Sequence, residues 1–386
     1  MILKRFSMKI LGIDTSCDDT SIAVIDAKKN GAIFEVGILS NAISSQTEIH
    51  RKWGGVYPSL AKRAHQKNAV PVLIKSLNDA KNLVKKKNTL SENQKSWLRK
   101  KLDHDPLLAK DLIKFFEKYS KPDINAIAVT QGPGLEPCLW VGINLATALG
   151  YFWNVQIIPV NHVEAHIYSA WLEKENQNFN FFPSIALIVS GGHTQIIYVK
   201  GAGEYQIVGD TRDDAAGECF DKTARILGLG YPGGPAIEKI ARTCFSKTKI
   251  KLPRPMIKSP NYDFSFSGLK TAVFYDFLKK DDKIKKSRDY KNAMAIEIQN
   301  AIIDVLAEKT LRAAKNFNVK NIILGGGVSA SASLKEKISS LAGAEFKVLY
   351  PSPIFSTDNA AMVALAAFLH PRDLPENFFA DSNLEI

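Results

Sequence analysis

At 386 residues the chain has room for about two to three domains, and a composition of 45% apolar and 23% charged residues excludes a disordered or collagenous chain. Four cysteines (Cys17, Cys138, Cys219, Cys244) with no C-x-x-C pair exclude a zinc ribbon or a disulfide scaffold and point to a reducing cytosol. The formal charge of +12 is concentrated: residues 75–121 hold 13 Lys/Arg against 6 Asp/Glu and residues 279–291 hold 7 against 3, so the rest of the chain is close to neutral.

The opening MILKRFSMKI is a poor signal peptide, because Lys4, Arg5 and Lys9 interrupt any apolar stretch. No apolar run reaches the ~18 residues of a membrane span, so neither export nor membrane insertion is expected. KILGIDTSCDDTSIAVID (9–26) reads as strand, polar tip, strand: a predicted β-hairpin whose Asp14, Asp18 and Asp19 have the chemistry to hold water or Mg²⁺. Asp-Thr-Ser turns are also ordinary turn chemistry. The Lys- and Asn-rich segment 75–121 predicts surface helices. INAIAVTQGPGLEPCLWVGINLATALG (124–150) predicts a strand ending in Gly132-Pro133-Gly134 and then a helix.

In VQIIPVNHVEAHIYSAW (155–171) a strand runs into a helix. Asn161 has the character of an N-cap with Glu164 three residues on, which resembles a capping box and starts the helix at His162. His162 and His166 then stand one turn apart on one face, the spacing that two helical ligands of a divalent metal require. Glu164 does not directly follow the first His, so this is not the H-E-x-x-H of a zinc peptidase. Chance His pairs on helices are frequent, and a third ligand is needed to make a site. The best candidate is Asp358 in PIFSTDNAAMVALAAFL, although a carboxylate complementing a helix dipole is the leading explanation of that residue by itself.

IALIVSGGHTQIIYVK (185–200) repeats the hairpin plan with Ser190-Gly191-Gly192-His193-Thr194 as its tip. The acidic stretch 211–241, with Asp213, Asp214, Glu218 and Asp221, predicts a helix ended by glycine. LPRPMIKSP (252–260) is the strongest loop signal. NIILGGGVSASASLKEKI (321–338) repeats the strand-glycine-helix turn. Two hairpins and two such turns suggest a duplicated half and suit a nucleotide held between two lobes, although any one Gly turn is more often purely structural. Neither a Walker A lysine motif nor G-x-G-x-x-G is present.

Taken in order, GIDTSCDDT, GGVYPSLAKRAH, QGPGL, NHVEAH, LIVSGGHTQI, DDAAGECFDKTARILGLGYPGGP, FSFSGLKTAV, LGGGVSA and STDNAAM closely resemble the motifs of the tRNA N6-adenosine threonylcarbamoyltransferase family, over roughly residues 8–370. That family was formerly described as O-sialoglycoprotein endopeptidase, and the bacterial branch fits best. The resemblance implies an α/β, two-lobed actin/Hsp70/sugar-kinase-like fold with a duplicated core. Its N-terminal lobe would span 8–160, with a Lys-rich helical insertion at about 75–121. Its C-terminal lobe would span 161–386, with the last helix (about 358–370) packing back on the first lobe.

The resemblance also implies site residues. The family's metal ligands fall on His162, His166 and Asp358, for one divalent ion per subunit, Fe²⁺ or Zn²⁺, with Mg²⁺ as a companion of nucleotide. Its threonylcarbamoyl-adenylate contacts fall on Ile188, Val189, Ser190, Gly191, Gly192, Asp221, Gly234 and Ser331. Three positions depart from the family: Ser331 replaces an Asn, Ser59 a Glu and Asp19 a Glu. Beyond the metal site no catalytic group is implied, which leaves Asp14 and Asp19 as candidates.

The implied reaction moves threonylcarbamoyl from threonylcarbamoyl-AMP to N6 of the adenosine 3′ of the anticodon in tRNAs reading codons that begin with A. It would take place in the cytoplasm, away from membranes, with a shorter paralogous subunit and a small ATPase as partners. A metallopeptidase is the rival enzyme, weakened by the lack of a general base beside the first His. A nucleotide-driven switch of the actin and Hsp70 kind is the non-enzymatic rival.

Overall fold

The computed structural model describes residues 6–30, 33–177 and 181–386. The chain divides into two compact units: Met1–Ile49, Val56–Phe179 and Asp358–Ile386 form the first, and His50–Gly55 with Asn180–Thr357 the second. The division falls at 179/180, where the resemblance implies 160/161, because the helix bearing His162 and His166 packs inside the first unit.

In the first unit β1 (Phe6–Asp14), β2 (Asp19–Asn30) and β3 (Ile33–Ser45) form an antiparallel meander, followed by the short α1 (Thr47–Arg51). α2 (Pro58–Asp79), α3 (Glu92–Lys101) and α4 (Pro106–Lys118) lead to β4 (Ala126–Gly132), α5 (Glu136–Trp153), β5 (Gln156–Asn161) and α6 (His162–Tyr168). β4 and β5 add in parallel to give the order β3-β2-β1-β4-β5. The sheet is covered on both faces, which is why β1 reads as an apolar run rather than an alternation. Leu11 and Ile13 pack in the core built by α2, α4 and α5.

The segment 75–121 is more than a solvated surface. Leu98, Leu108, Leu112, Phe115 and Phe116 from α3 and α4 are buried in that same core, while the lysines between them face water. α3 opens with a full capping box between Ser91 and Gln94, and its Trp97 stacks on Tyr151 of α5 with ring centroids 4.0 Å apart.

The second unit runs β6 (Ser184–Val189), β7 (Thr194–Gly201), β8 (Glu204–Asp210), α7 (Ala216–Leu227), α8 (Gly233–Thr243), α9 (Ser267–Lys279), α10 (Asp282–Lys286) and α11 (Arg288–Asn316). It continues with β9 (Asn321–Gly325), α12 (Ala332–Ala342), β10 (Lys347–Leu349) and α13 (Pro353–Ser356). Its sheet order is β10-β9-β6-β7-β8. Three antiparallel strands followed by two parallel ones, added beside the first strand, is the plan of both sheets, so the core is duplicated in topology.

α14 (Ala360–Leu369) then belongs to the first unit and packs on β1, β2 and α6. Its approach explains Gly12: a Cβ there would lie 2.1 Å from the Ala360 carbonyl oxygen. Among the described residues no helix is long and apolar enough to cross a membrane.

Candidate metal site and glycine-rich cradle

The metal candidate is built where β5 becomes α6. The Asn161 side-chain oxygen accepts hydrogen bonds from the backbone N–H of Val163 (2.9 Å) and Glu164 (3.1 Å), so the helix starts at His162 as its N-cap dictates. Only half of the expected capping box forms. The buried Glu164 carboxylate instead takes His370 Nδ1 at 2.7 Å and Arg372 at 2.8 Å, which ties down the chain that leaves α14. The Asn161 amide donates to the carbonyls of Leu384 and Glu385, both at 3.1 Å.

Asp358 stands one residue before Asn359, the N-cap of α14, whose side chain accepts from Met362 N–H at 3.1 Å. The next N–H, that of Ala360, donates to Ser21 Oγ of β2 at 2.8 Å. The Asp358 carboxylate is thereby held over α6. Its Oδ1 lies 3.2 Å from His166 Nε2 and 3.6 Å from His162 Nε2, and one ligand atom from each of the three residues falls within 4.8 Å of the others.

These residues fit a divalent cation. Ligand atoms about 2 Å from a tetrahedral ion stand roughly 3.3 Å apart, close to the two observed separations. Both imidazoles are buried, and His162 Nδ1 and both ring nitrogens of His166 lack a hydrogen-bond partner, which is costly unless something else engages them. His162 Nδ1 faces Asp14 Oδ2 at 3.5 Å, the arrangement in which a carboxylate orients a ligating imidazole. Burial by itself disfavours the charged form of His162, but the carboxylates of Asp14 and Asp358 outweigh it and push its pKa up to about 9. Burial, with His162 as a cationic neighbour, lowers that of His166 despite the nearby Asp358 carboxylate.

The first hairpin tip lies in the same unit. Asp14 Oδ1 accepts from Ser16 N–H at 3.0 Å, and Thr15 Oγ1 donates to the Cys138 carbonyl at the start of α5 (2.9 Å). Asp19 is largely buried, and burial pushes its carboxyl up to about 7 against the opposing hydrogen bond from Ser45. The sequence reading passed over His65. This buried α2 residue meets Thr20 Oγ1 at 2.8 Å and the Cys17 carbonyl at 3.1 Å, bracing the tip from both sides. The only signal for it was its place at the end of the string GGVYPSLAKRAH. Burial raises Cys138 and Cys219 to about 12, so neither supplies a thiolate nucleophile.

In the second unit the residues implied by the resemblance form a contiguous chain of contacts. Ser190 Oγ accepts from His193 N–H (3.1 Å) and Gly192 N–H (3.3 Å), which shapes the β6–β7 tip, and the Ser190 carbonyl accepts from Gly217 N–H of α7 at 3.2 Å. Gly326, at φ +85°, brings the turn after β9 so close that a Cβ would meet the Val189 carbonyl oxygen at 2.4 Å. By contrast, no protein atom lies within 4 Å of where a Cβ would stand on Gly191, Gly192 or Gly327. The tight positions bring the turns together and the open ones leave room above them. The side chains of Ile188 and Val189 are buried in the sheet, so only their backbone can reach a ligand.

Asp221 Oδ1 accepts from Gly233 N–H at 2.6 Å, beside Gly234 at the start of α8. Ser331 is occupied: its hydroxyl donates to Glu238 Oε1 at 3.0 Å and accepts from Leu334 N–H at 3.3 Å as the N-cap of α12. Ser59 is exposed in the first turn of α2.

The chain is similar to known proteins over most of its length. The model of the family described as tRNA N6-adenosine threonylcarbamoyltransferase matches residues 37–88 and 107–365, leaving out α3 and its flanks. A tRNA N6-adenosine threonylcarbamoyltransferase of Persephonella marina is 40% identical over 365 residues, 94% of this chain and 90% of that one. One of Thermosipho africanus is 40% identical over 379 residues, 98% of each chain. Among solved structures, full-length HypF in its phosphate- and nucleotide-bound form aligns with a TM-score of 0.50 at 12% identity, over 95% of this chain and 55% of that one, a likeness of the actin-like fold. A match that takes in the His pair, Asp358 and all the glycine-rich turns of the second unit, with relatives at this identity over nearly the full chain, shows that the chain belongs to the tRNA N6-adenosine threonylcarbamoyltransferase family.

Proposed function

We propose that the chain transfers threonylcarbamoyl from threonylcarbamoyl-AMP to N6 of the adenosine 3′ of the anticodon in tRNAs reading codons that begin with A, giving N6-threonylcarbamoyladenosine and AMP. The observation that carries this reading is the family match, which runs through the His162–His166 helix and the turns that hold the open positions Gly191, Gly192 and Gly327. His162, His166 and Asp358 would hold one divalent ion, Fe²⁺ or Zn²⁺, which when bound supplies Lewis-acid polarisation and orientation to the acyl donor.

The chain's own groups supply the rest. Gly191, Gly192 and Gly327 leave space for adenylate, and the N-terminus of α7, abutting the Ser190 tip, favours its phosphate. Asp221 and Gly234 flank the start of α8 as further contacts, and Ile188 and Val189 contribute backbone only. Since the Ser331 hydroxyl caps α12, the hydrogen bond expected of the family's Asn is replaced here by backbone or water. In the transfer the N6 lone pair forms the new bond to the carbamoyl carbon, the bond from that carbon to the phosphate oxygen breaks, and AMP leaves with the electron pair. The proton lost from N6 needs a base. Asp14, which faces His162 Nδ1 at 3.5 Å, and the largely buried Asp19 are the candidates for that role.

Residence in the cytoplasm accords with four unpaired cysteines, and the shorter paralogous subunit and small ATPase are the partners this reading brings with it. The test is mass spectrometry of tRNA nucleosides after incubation with threonylcarbamoyl-AMP and those partners. Appearance of N6-threonylcarbamoyladenosine supports the reading. Unmodified tRNA together with peptide cleavage or nucleotide hydrolysis overturns it.

A further inference from the structure

We propose that a lysine-lined groove in the first unit, formed by the loop after α2 and the C-terminal half of α4, binds the phosphodiester backbone of the tRNA. The inference rests on the proposed function for the identity of the RNA. The groove has a volume of about 550 Å³ and is lined by Lys85, Lys86, Lys87, Lys114, Glu117 and Lys118. All five lysines are exposed. Among the described residues Lys85, Lys86, Lys87 and Lys118 have no carboxylate partner, and Lys114 has only a loose one, Asp111 at 3.6 Å.

Surface lysines are usually mobile, whereas the backbone that carries these is strapped in place. Lys85 bridges to Tyr119 as an isolated β-pair. Lys86 N–H donates to the Lys118 carbonyl at 3.1 Å, Asn88 N–H to the Glu117 carbonyl at 2.8 Å, and Ser120 N–H to the Val84 carbonyl at 3.0 Å. The Asn88 amide donates to the carbonyls of Phe116 and Tyr119, both at 3.0 Å. These bonds also consume the carbonyls at the C-terminus of α4, whose partial negative charge would otherwise oppose an anion.

The groove's one carboxylate is neutralised as well. Lys95 of α3 reaches Glu117 at 3.1 Å, and α3 lies in residues 89–106, the stretch outside the family match. This helix, outside the family match, thus leaves the neighbouring groove with an uncompensated positive charge. A row of lysines on a fixed backbone, with no aromatic side chain lining the groove, suits a polyanion read through its phosphates, not through its bases.

The experiment measures binding of an unmodified transcript of a tRNA that reads a codon beginning with A, across a salt series, by the full chain with its partner subunits. It compares the wild type, the triple variant Lys85→Gln/Lys86→Gln/Lys87→Gln and, as a charge-matched control, Lys279→Gln/Lys280→Gln/Lys283→Gln. The groove variant should bind on the order of 10 to 100-fold more weakly at ~0.1 M salt and lose about 2 from the slope of log K against log salt. Lys95→Ala, which frees Glu117, should shift binding in the same direction by a smaller factor. Unchanged affinity and slope in the groove variant overturn the inference. So does an equal loss in the control, or a loss confined to binding of phosphatidylglycerol vesicles. Nucleoside analysis of the same wild-type samples separates the two claims: tRNA bound but left unmodified defeats the proposed function, while the groove comparison is read from binding alone.

Discussion

His166 Nε2 and Asp358 Oδ1 lie 3.2 Å apart although nearly half the chain separates them in sequence, and His162 Nε2 completes the group at 3.6 Å from the same oxygen. Replacing His166 or Asp358 by Ala removes a candidate ligand without disturbing the N-caps Asn161 and Asn359 that fix the two helices. Each variant should therefore fold, lose about one metal ion per chain by elemental analysis, and fall in transfer rate by on the order of 100-fold or more. Full metal content in either variant would remove these residues from the ligand set.

Glu164 stands between the two histidines in sequence but points elsewhere, to His370 and Arg372. Glu164→Gln breaks a buried ion pair whose partners are only partly exposed, at a cost of about 1–3 kcal/mol in denaturant unfolding. Metal content should be retained, which distinguishes an anchoring role from ligation.

The glycines of the second unit separate into two kinds by substitution. Gly326→Ala adds a Cβ 2.4 Å from the Val189 carbonyl at φ +85° and should destabilise the protein by about 1–3 kcal/mol. Gly192→Ala meets no protein atom, so stability should change by less than about 0.5 kcal/mol. Binding of an adenylate analogue, followed by calorimetry, should weaken in Gly192→Ala. Undiminished binding would place the adenylate elsewhere.

Lys309 of α11 is fully buried, donating to Ser259 Oγ at 2.8 Å and to the Asn261 carbonyl at 3.2 Å with its ammonium over Phe264. Burial lowers its pKa to about 8, assisted by Arg312 and Arg212 and opposed by Asp263. The unfolded chain holds this proton up to the ordinary lysine value, so between the two values it binds more protons than the native state and stability rises with pH. Compared with Lys309→Met, the wild type should gain stability from pH about 8 to about 10.5 and show no such difference in slope below pH 7. Parallel stability profiles of the two proteins across that range would show that the ammonium is not depressed.

Much of this was legible in the residues because local rules sufficed. The hairpin tips at 14–19 and 190–193 sit between apolar strands, and Asn161 sets the phase that puts His162 and His166 on one face. Asp358 was ambiguous alone, since nothing local says that α14 packs on β1 and carries the carboxylate over α6. The same non-locality hid the Glu164 anchor and the His65 brace, whose partners come from other elements. Ser331 shows the opposite limit: a position matched to a substrate contact carries a short hydroxyl that satisfies the nearer N–H of its own helix.

The course of the chain through its two units has a consequence for biosynthesis. His162 and His166 emerge early, but Asp358 and the carbonyls of Leu384 and Glu385 that receive the Asn161 amide come only after the whole second unit has been made. A nascent chain stalled anywhere in that unit carries two imidazoles without the Asp358 carboxylate, so an ion that needed all three residues would load only after translation had gone past the second unit.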